Sequence, residues 1–219
     1  VEPAAGSTLE LVLVVESIAP VAVEATEVDA RFRADGERLI LGAWESKRGE
    51  ARTFARGDSA SVRMTLRVPA SGPYAIAASN DVGDIRIIGL LVGPLHARTD
   101  VGDVIAKDVD LVGNATLRTN VGDAILHARS VVTGAISVRS DVGDAEALLP
   151  SRVDVGYDAR ASTDVGEAVI RIGDTETFES KASGPGEVEH ARSAGFADKP
   201  TQVTVRATTD VGDARIVAS

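Results

Sequence analysis

At 219 residues the chain is long enough for two modest domains, each with a core of its own. Its net charge of -10 argues against a nucleic-acid partner, because phosphate binding needs a basic stripe and the arginines here are interleaved with acids. The absence of cysteine removes disulfides from the account, and no stretch approaches the ~20 uninterrupted apolar residues of a membrane-spanning helix.

Residues 9–16, 21–33, 38–44 and 61–68 each alternate apolar and polar side chains or are rich in β-branched ones, and Ala34, Asp35, Gly36 and Glu37 read as a hairpin turn between two of these runs. Strands separated by polar turns predict a small antiparallel sandwich of immunoglobulin-like type over residues 1–72. Trp44 is expected in its core or at a domain joint, and Pro69 to Pro73 is expected as the hinge into a second domain. The chain begins at Val1 and not at Met, which fits a mature chain from which a leader has been removed.

From Tyr74 onward the texture changes. The tetrapeptide Asp-Val-Gly-Asp, with small variations, recurs at 81–84, 100–103, 120–123, 141–144, 164–167 and 210–213, and Gly184, Pro185, Gly186 and Glu187 resemble a worn copy in the long gap before the last. A period near 20 matches one coil of a β-solenoid, whose coils bury their apolar faces against each other. The prediction is therefore an all-β chain, with a parallel β-solenoid of about seven coils over residues 73–219 following the sandwich.

Parity assigns the faces of each coil. Five and three positions before the motif stand apolar residues such as Ile76 and Ala78, Leu95 and Ala97, or Ile136 and Val138, which are expected inside. Four and two positions before it stand His96 and Arg98, Thr116 and Arg118, Ser137 and Arg139, Arg160 and Ser162, and Arg206 and Thr208, which belong in water. After the motif the inward alternation resumes, as at Val104 and Ala106 or Ala214 and Ile216. The motif glycine suits a tight turn, since glycine enters left-handed backbone conformations without a Cβ penalty. Val82, Val101, Val121, Val142, Val165 and Val211 are expected to stack in one column among apolar neighbours, so that an acid at Val121 would be severely destabilising.

Stacking also aligns two acidic rows at a spacing of about 4.8 Å, where like charges repel. One reading offsets this with Ca²⁺, which collects carboxylate and carbonyl oxygens, and places the ion at Asp100, Asp103, Asp141 and Asp144. The other makes the acids turn caps facing Arg98, Arg118 and Arg139. The arginine rows already supply countercharge and Asn120 weakens one ligand position, which favours the second reading and no bound cofactor.

Two resemblances add to this picture. The runs 9–16, 20–23, 28–39 and 61–69 resemble the late-embryogenesis-abundant, water-stress type of immunoglobulin-like domain, although Glu16 and Ser17 stand where that family usually has Asn-Pro. The strand-Asp-Val-Gly-Asp-strand repeat resembles the adhesin β-solenoid domains of bacteria and archaea, named for suspected surface roles. That resemblance implies a coil shape and carries over no active-site residues.

No catalytic constellation is legible. His96, His127 and His190 are isolated, with no His-x-x-x-His pair, and the repeated carboxylates lack the asymmetry that separates an acid from a base. The stretch 174–200, with Phe178, His190 and Phe196, is the best place for an enzyme site, but reads more simply as a loop over the worn copy. The resulting expectation is a non-enzymatic extracellular or cell-surface structural protein that assembles head to tail with itself into a filament or adhesive assembly. Its interface would join an N-terminal arm, with Val1, Leu9 and Leu11, to an open last coil at Ala214, Ile216 and Val217. The competing readings are a monomeric surface module binding a glycan, a protein or Ca²⁺, and a solenoid enzyme acting on polysaccharide.

Overall fold

The computed structural model describes residues 2–4, 10–18, 32–35, 38–41, 59–69, 72–173, 175–182 and 186–219. The chain divides into two units, Leu11–Thr65 and the combination of Val1–Glu10 with Leu66–Ser219. Its first strands are β1 (Glu2–Ala4), β2 (Glu10–Ile18), β3 (Phe32–Asp35), β4 (Arg38–Leu41) and β5 (Ser59–Pro69). Within the first unit, β2 lies beside β5, and β3 pairs antiparallel with β4 so that Asp35 faces Arg38. Within the second, β1 runs parallel to the end of β5, from Glu2 opposite Arg67 to Ala4 opposite Pro69.

Each motif copy joins two strands of the second unit. In chain order they are β6 (Tyr74–Val82) and β7 (Ile85–Ile88), β8 (Leu91–Val101) and β9 (Val104–Leu111), β10 (Ala115–Val121) and β11 (Ala124–Val131), and β12 (Gly134–Val142) and β13 (Ala145–Leu149). Then come β14 (Val155–Val165) and β15 (Ala168–Ile172), an inserted pair β16 (Thr175–Ala182) and β17 (Glu187–Ser193), and finally β18 (Thr201–Val211) and β19 (Ala214–Ala218). All fourteen belong to one sheet with two arms, β6-β8-β10-β12-β18-β14-β17-β16 and β7-β9-β11-β13-β19-β15, joined where Leu91 and Val92 of β8 pair with Asp110 and Leu111 of β9.

This corrects the expected architecture. Among the described residues there is neither an immunoglobulin-like sandwich over 1–72 nor a solenoid of seven successive coils over 73–219; the strands form one mixed, mostly parallel sheet nearly closed into a barrel. Alternation sets which side chains face inward but not which strands pair, and the pairing departs from chain order. The last copy, β18 and β19, lies between the fourth and the fifth: Val142 and Val165 both pair with Val211. The step from the fourth copy to the fifth is 23 residues where the earlier ones are 19 to 21, and the extra length at 150–154 lets β14 leave a row vacant for β18. Tyr157 holds this longer connection, its ring buried in the core and its hydroxyl donating to the Pro150 carbonyl at 2.8 Å. The worn copy adds no seventh parallel row, because Glu187 opens β17, which runs antiparallel to both β14 and β16.

The inward parity is as the repeat predicts. Leu95, Ala115, Ile136, Val205 and Ala159 form one buried column of the first arm, and Val104, Ala124, Ala145, Ala214 and Ala168 one of the second. The core is built from Ala, Val, Ile and Leu, small enough for two arms that face each other across about 10 Å. The motif valines do stack in register, but they project outward and are 47% to 73% exposed. An acid at Val121 would therefore meet water and not a core, so the severe effect expected of it loses its basis.

The turns tolerate no Cβ at the glycine. Gly143 has φ +132°, and a Cβ on it would fall 2.1 Å from the carbonyl oxygen of Gly122 in the adjacent row. Gly143→Ala should cost at least about 2 kcal/mol in urea unfolding, from the strained backbone and the contact together. Gly173→Ala should change little, since a Cβ there meets nothing within 4 Å.

Candidate functional site

The motif side chains are used mainly between rows. One position before five of the six motif copies, Thr99, Thr119, Ser140, Thr163 and Thr209 are buried, and each donates its hydroxyl to the carbonyl of the adjacent row's motif glycine, at 2.7 to 2.9 Å. Each bond contributes about 1 kcal/mol net and satisfies a hydroxyl that would otherwise be buried unpaired. This hydroxyl column escaped the sequence reading, although a Thr or Ser just before every motif copy except the first was a signal for it.

The last acid of the motif forms a second ladder. The Oδ1 atoms of Asp84, Asp103, Asp123, Asp144 and Asp213 accept the backbone N–H of Asp103, Asp123, Asp144, Asp213 and Glu167 respectively, at 2.9 to 3.1 Å. A carboxylate held by an N–H from the next row offsets the repulsion of its stacked neighbours. The first acid is held differently. Arg98 donates to Asp100 at 3.0 Å and Arg139 to Asp141 at 2.9 Å, with Arg118 also reaching Asp141. Asn120 breaks the acidic row and donates to Asp100 at 3.1 Å. Arg139 beside Asp141 holds that carboxyl below the usual carboxylate range.

The four acids of the Ca²⁺ reading thus split into two kinds, Asp100 and Asp141 on arginines and Asp103 and Asp144 on backbone N–H groups. Among the described residues no three potential metal-ligating side chains cluster. The assembly residues are also placed. Ala214 and Ile216 are fully buried, and β19 is paired on both sides, with Val217 opposite Leu148 and Arg171. The last copy is an interior strand pair and not the open edge expected of it, with Ala214 and Ile216 buried and Val217 half-buried. Val1 and Leu9 lie outside the described residues, as does Trp44, and Leu11 is described only as part of β2.

The stretch 174–200 is no plain loop. The inner face of β17 covers the edge of β15: Glu187 accepts the N–H of Ala168 at 2.9 Å and Glu189 that of Ile170 at 2.6 Å. Unpaired N–H groups on an edge strand invite another chain, and these two are occupied. On the outer face, Asp158 receives His190 Nε2 at 2.7 Å and both Nε and Nη2 of Arg192, whose guanidinium also sits 5.3 Å from the Phe196 ring centre. Burial works against ionisation of Asp158, but the bonds from His190 and Arg192 prevail and hold its carboxyl below the usual range.

The outer face of the first arm carries a hollow of about 310 Å³ lined by Arg160, Ser162, Arg206 and Thr208. Arg160 and Ser162 of β14 lie directly opposite Arg206 and Thr208 of β18. This is the candidate site.

No family model matches the chain, and no curated protein does. One solved structure is similar at low level, a putative cell adhesion protein from Clostridium sporogenes, 10% identical, with a TM-score of 0.47, covering 100% of this chain and 86% of that one.

Two outcomes follow from the side-chain assignments. Chelation with EDTA should leave the melting temperature unchanged, because arginines and N–H groups already hold the acids; a drop restored by Ca²⁺ would reassign Asp100, Asp103, Asp141 and Asp144 as ligands. Asp158→Asn should lower stability at pH 7. Because the folded carboxyl titrates below the unfolded one, its contribution is complete above the unfolded pKa and is lost as pH falls through the folded value, so the gap from wild type should close below about pH 4. Urea unfolding at several pH values measures it.

Proposed function

We propose that the chain is a non-enzymatic, cell-surface binding module that displays the outer face of the first sheet arm to a partner. The observation that supports this reading is the division of labour within the repeat. Hydroxyls, glycines and the last motif acids are spent on joining rows, whereas the outward positions change from row to row: His96, Thr116, Ser137, Arg206 and Arg160 in one column. A rigid grid with a variable outer surface suits recognition, in the way that loops on a scaffold do elsewhere.

Head-to-tail assembly through the last copy is not part of this reading, since β19 has a partner on each side. Adhesion remains compatible with it. Sedimentation velocity over a range of concentrations, combined with binding to a panel of surface glycans and proteins, tests the proposal. A monomer with saturable binding is expected. Mass that grows with concentration without saturable binding would defeat the module, and turnover on polysaccharides would replace it with an enzyme.

A further inference from the structure

We propose that the stacked motif valines form a docking ridge for a basic amphipathic segment of a partner protein. The ridge lies at the turns, apart from the outer face of the first arm, so the two surfaces stand or fall separately.

Apolar side chains are kept in water at every turn. Val82, Val101, Val121, Val142, Val211 and Val165 follow one another in register across six rows and are 47% to 73% exposed. The backbone does not ask for this side chain. The carbonyls of Val101, Val121, Val142, Val211 and Val165 each accept the N–H of a motif glycine one row away, a bond that the main chain of any residue makes. A β-branched residue suits an extended strand, but threonine is branched as well and is better suited to water, as at the half-buried outward positions Thr116 and Thr208. The motif nevertheless holds valine in all six copies, while the outward column of His96, Thr116, Ser137, Arg206 and Arg160 varies. The result is an uninterrupted apolar strip about 24 Å long, at the ordinary spacing of paired strands.

The charge around the strip selects its occupant. The six motif copies carry eleven acidic side chains and no basic one. Arginines outside the motif pair with Asp84, Asp100, Asp141, Asp210 and Asp213. Asp103, Asp123 and Asp144 accept backbone N–H groups, which bring no countercharge, and among the described residues Asp81, Asp164 and Glu167 form no salt bridge. Negative charge therefore remains in the columns that flank the valines. A second copy is the wrong partner, because it would bring the same acids to face these. The strip also offers only on the order of a few hundred Å², where a stable dimer buries about 800 Å² on each side. A segment with one apolar stripe and Lys or Arg beside it meets both demands, since the stripe covers the valines while the cations reach the acids. As a helix, about 16 residues span the strip.

The test is titration of the whole chain, labelled at its valine methyls, with a peptide of that length in which Leu and Lys form an amphipathic helix. A scrambled peptide of the same composition and a Leu/Glu counterpart serve as comparisons. Saturable binding of the amphipathic basic peptide, weakening with salt, is expected, with shifts at the methyls of the six motif valines and none at Val153, which is exposed outside the strip. By calorimetry, combining Val121→Thr with Val142→Thr should weaken binding by roughly tenfold or more, while Val153→Thr should leave it unchanged. An unaltered melting temperature separates lost binding from lost folding, and if the double variant melts below wild type, the methyl shifts of the wild type decide alone. Absence of saturable binding, equal binding of the scrambled or the Leu/Glu peptide, shifts confined to other methyls, or undiminished binding by a normally folded double variant would overturn the ridge.

Discussion

The close approach of one motif glycine to the glycine of the adjacent row is the constraint on which the rest of the sheet depends. At Gly102, Gly122, Gly143, Gly166 and Gly212 a Cβ would sit 1.9 to 2.5 Å from the neighbouring glycine's carbonyl oxygen. That carbonyl also receives the buried hydroxyl of the adjacent row. Steric room and hydrogen-bond demand thus fix both the distance and the register between rows. Once these are set, valines line up with valines and each last acid finds an N–H one row away. The regularity of the surface is a by-product of what happens at the turns.

Much of this was legible in the residues. The period announced rows, parity assigned the buried columns, and the arginines two positions before the motif pointed at the acids they hold. What could not be read was the order of the rows. Every copy carries the same glycine and ends on an acid, and all but the first, which Asn80 precedes, carry the same hydroxyl, so most rows are chemically acceptable neighbours for one another and local signals contain little preference among them. Only the longer step after Leu149 hinted that one row would be passed over. The outward-facing valines were misjudged for a related reason. Parity that holds along a strand fails through a turn, where the positive φ of the glycine redirects the chain.

Row order also determines which surface residues meet. Arg160 and Arg206 belong to copies that are remote in the chain, and their juxtaposition cannot be inferred from either copy alone. The same holds for the closure of the sheet. Glu187 and Glu189 look like ordinary strand acids in sequence, but β17 runs where their carboxylates reach the N–H groups of β15. Side chains do there what a further strand would otherwise do, and the near-closed sheet needs no additional partner along that stretch.

The interior position of the last motif copy bears on how the chain acquires its structure during synthesis. In an array whose rows are laid down in sequence, each new row can dock on the one just finished, so order grows along with the polypeptide. Here the fifth row emerges from the ribosome before the row that will separate it from the fourth. It must wait, or pair temporarily with β12 and β13 and then yield its place. The fourth, fifth and last rows share the glycine, hydroxyl and acid, so such a temporary pairing would meet no chemical mismatch. Completion of this sheet therefore depends on contacts such as Val142 with Val211 that span 69 residues, and the fourth and fifth rows gain their final neighbour only once β18 has been made.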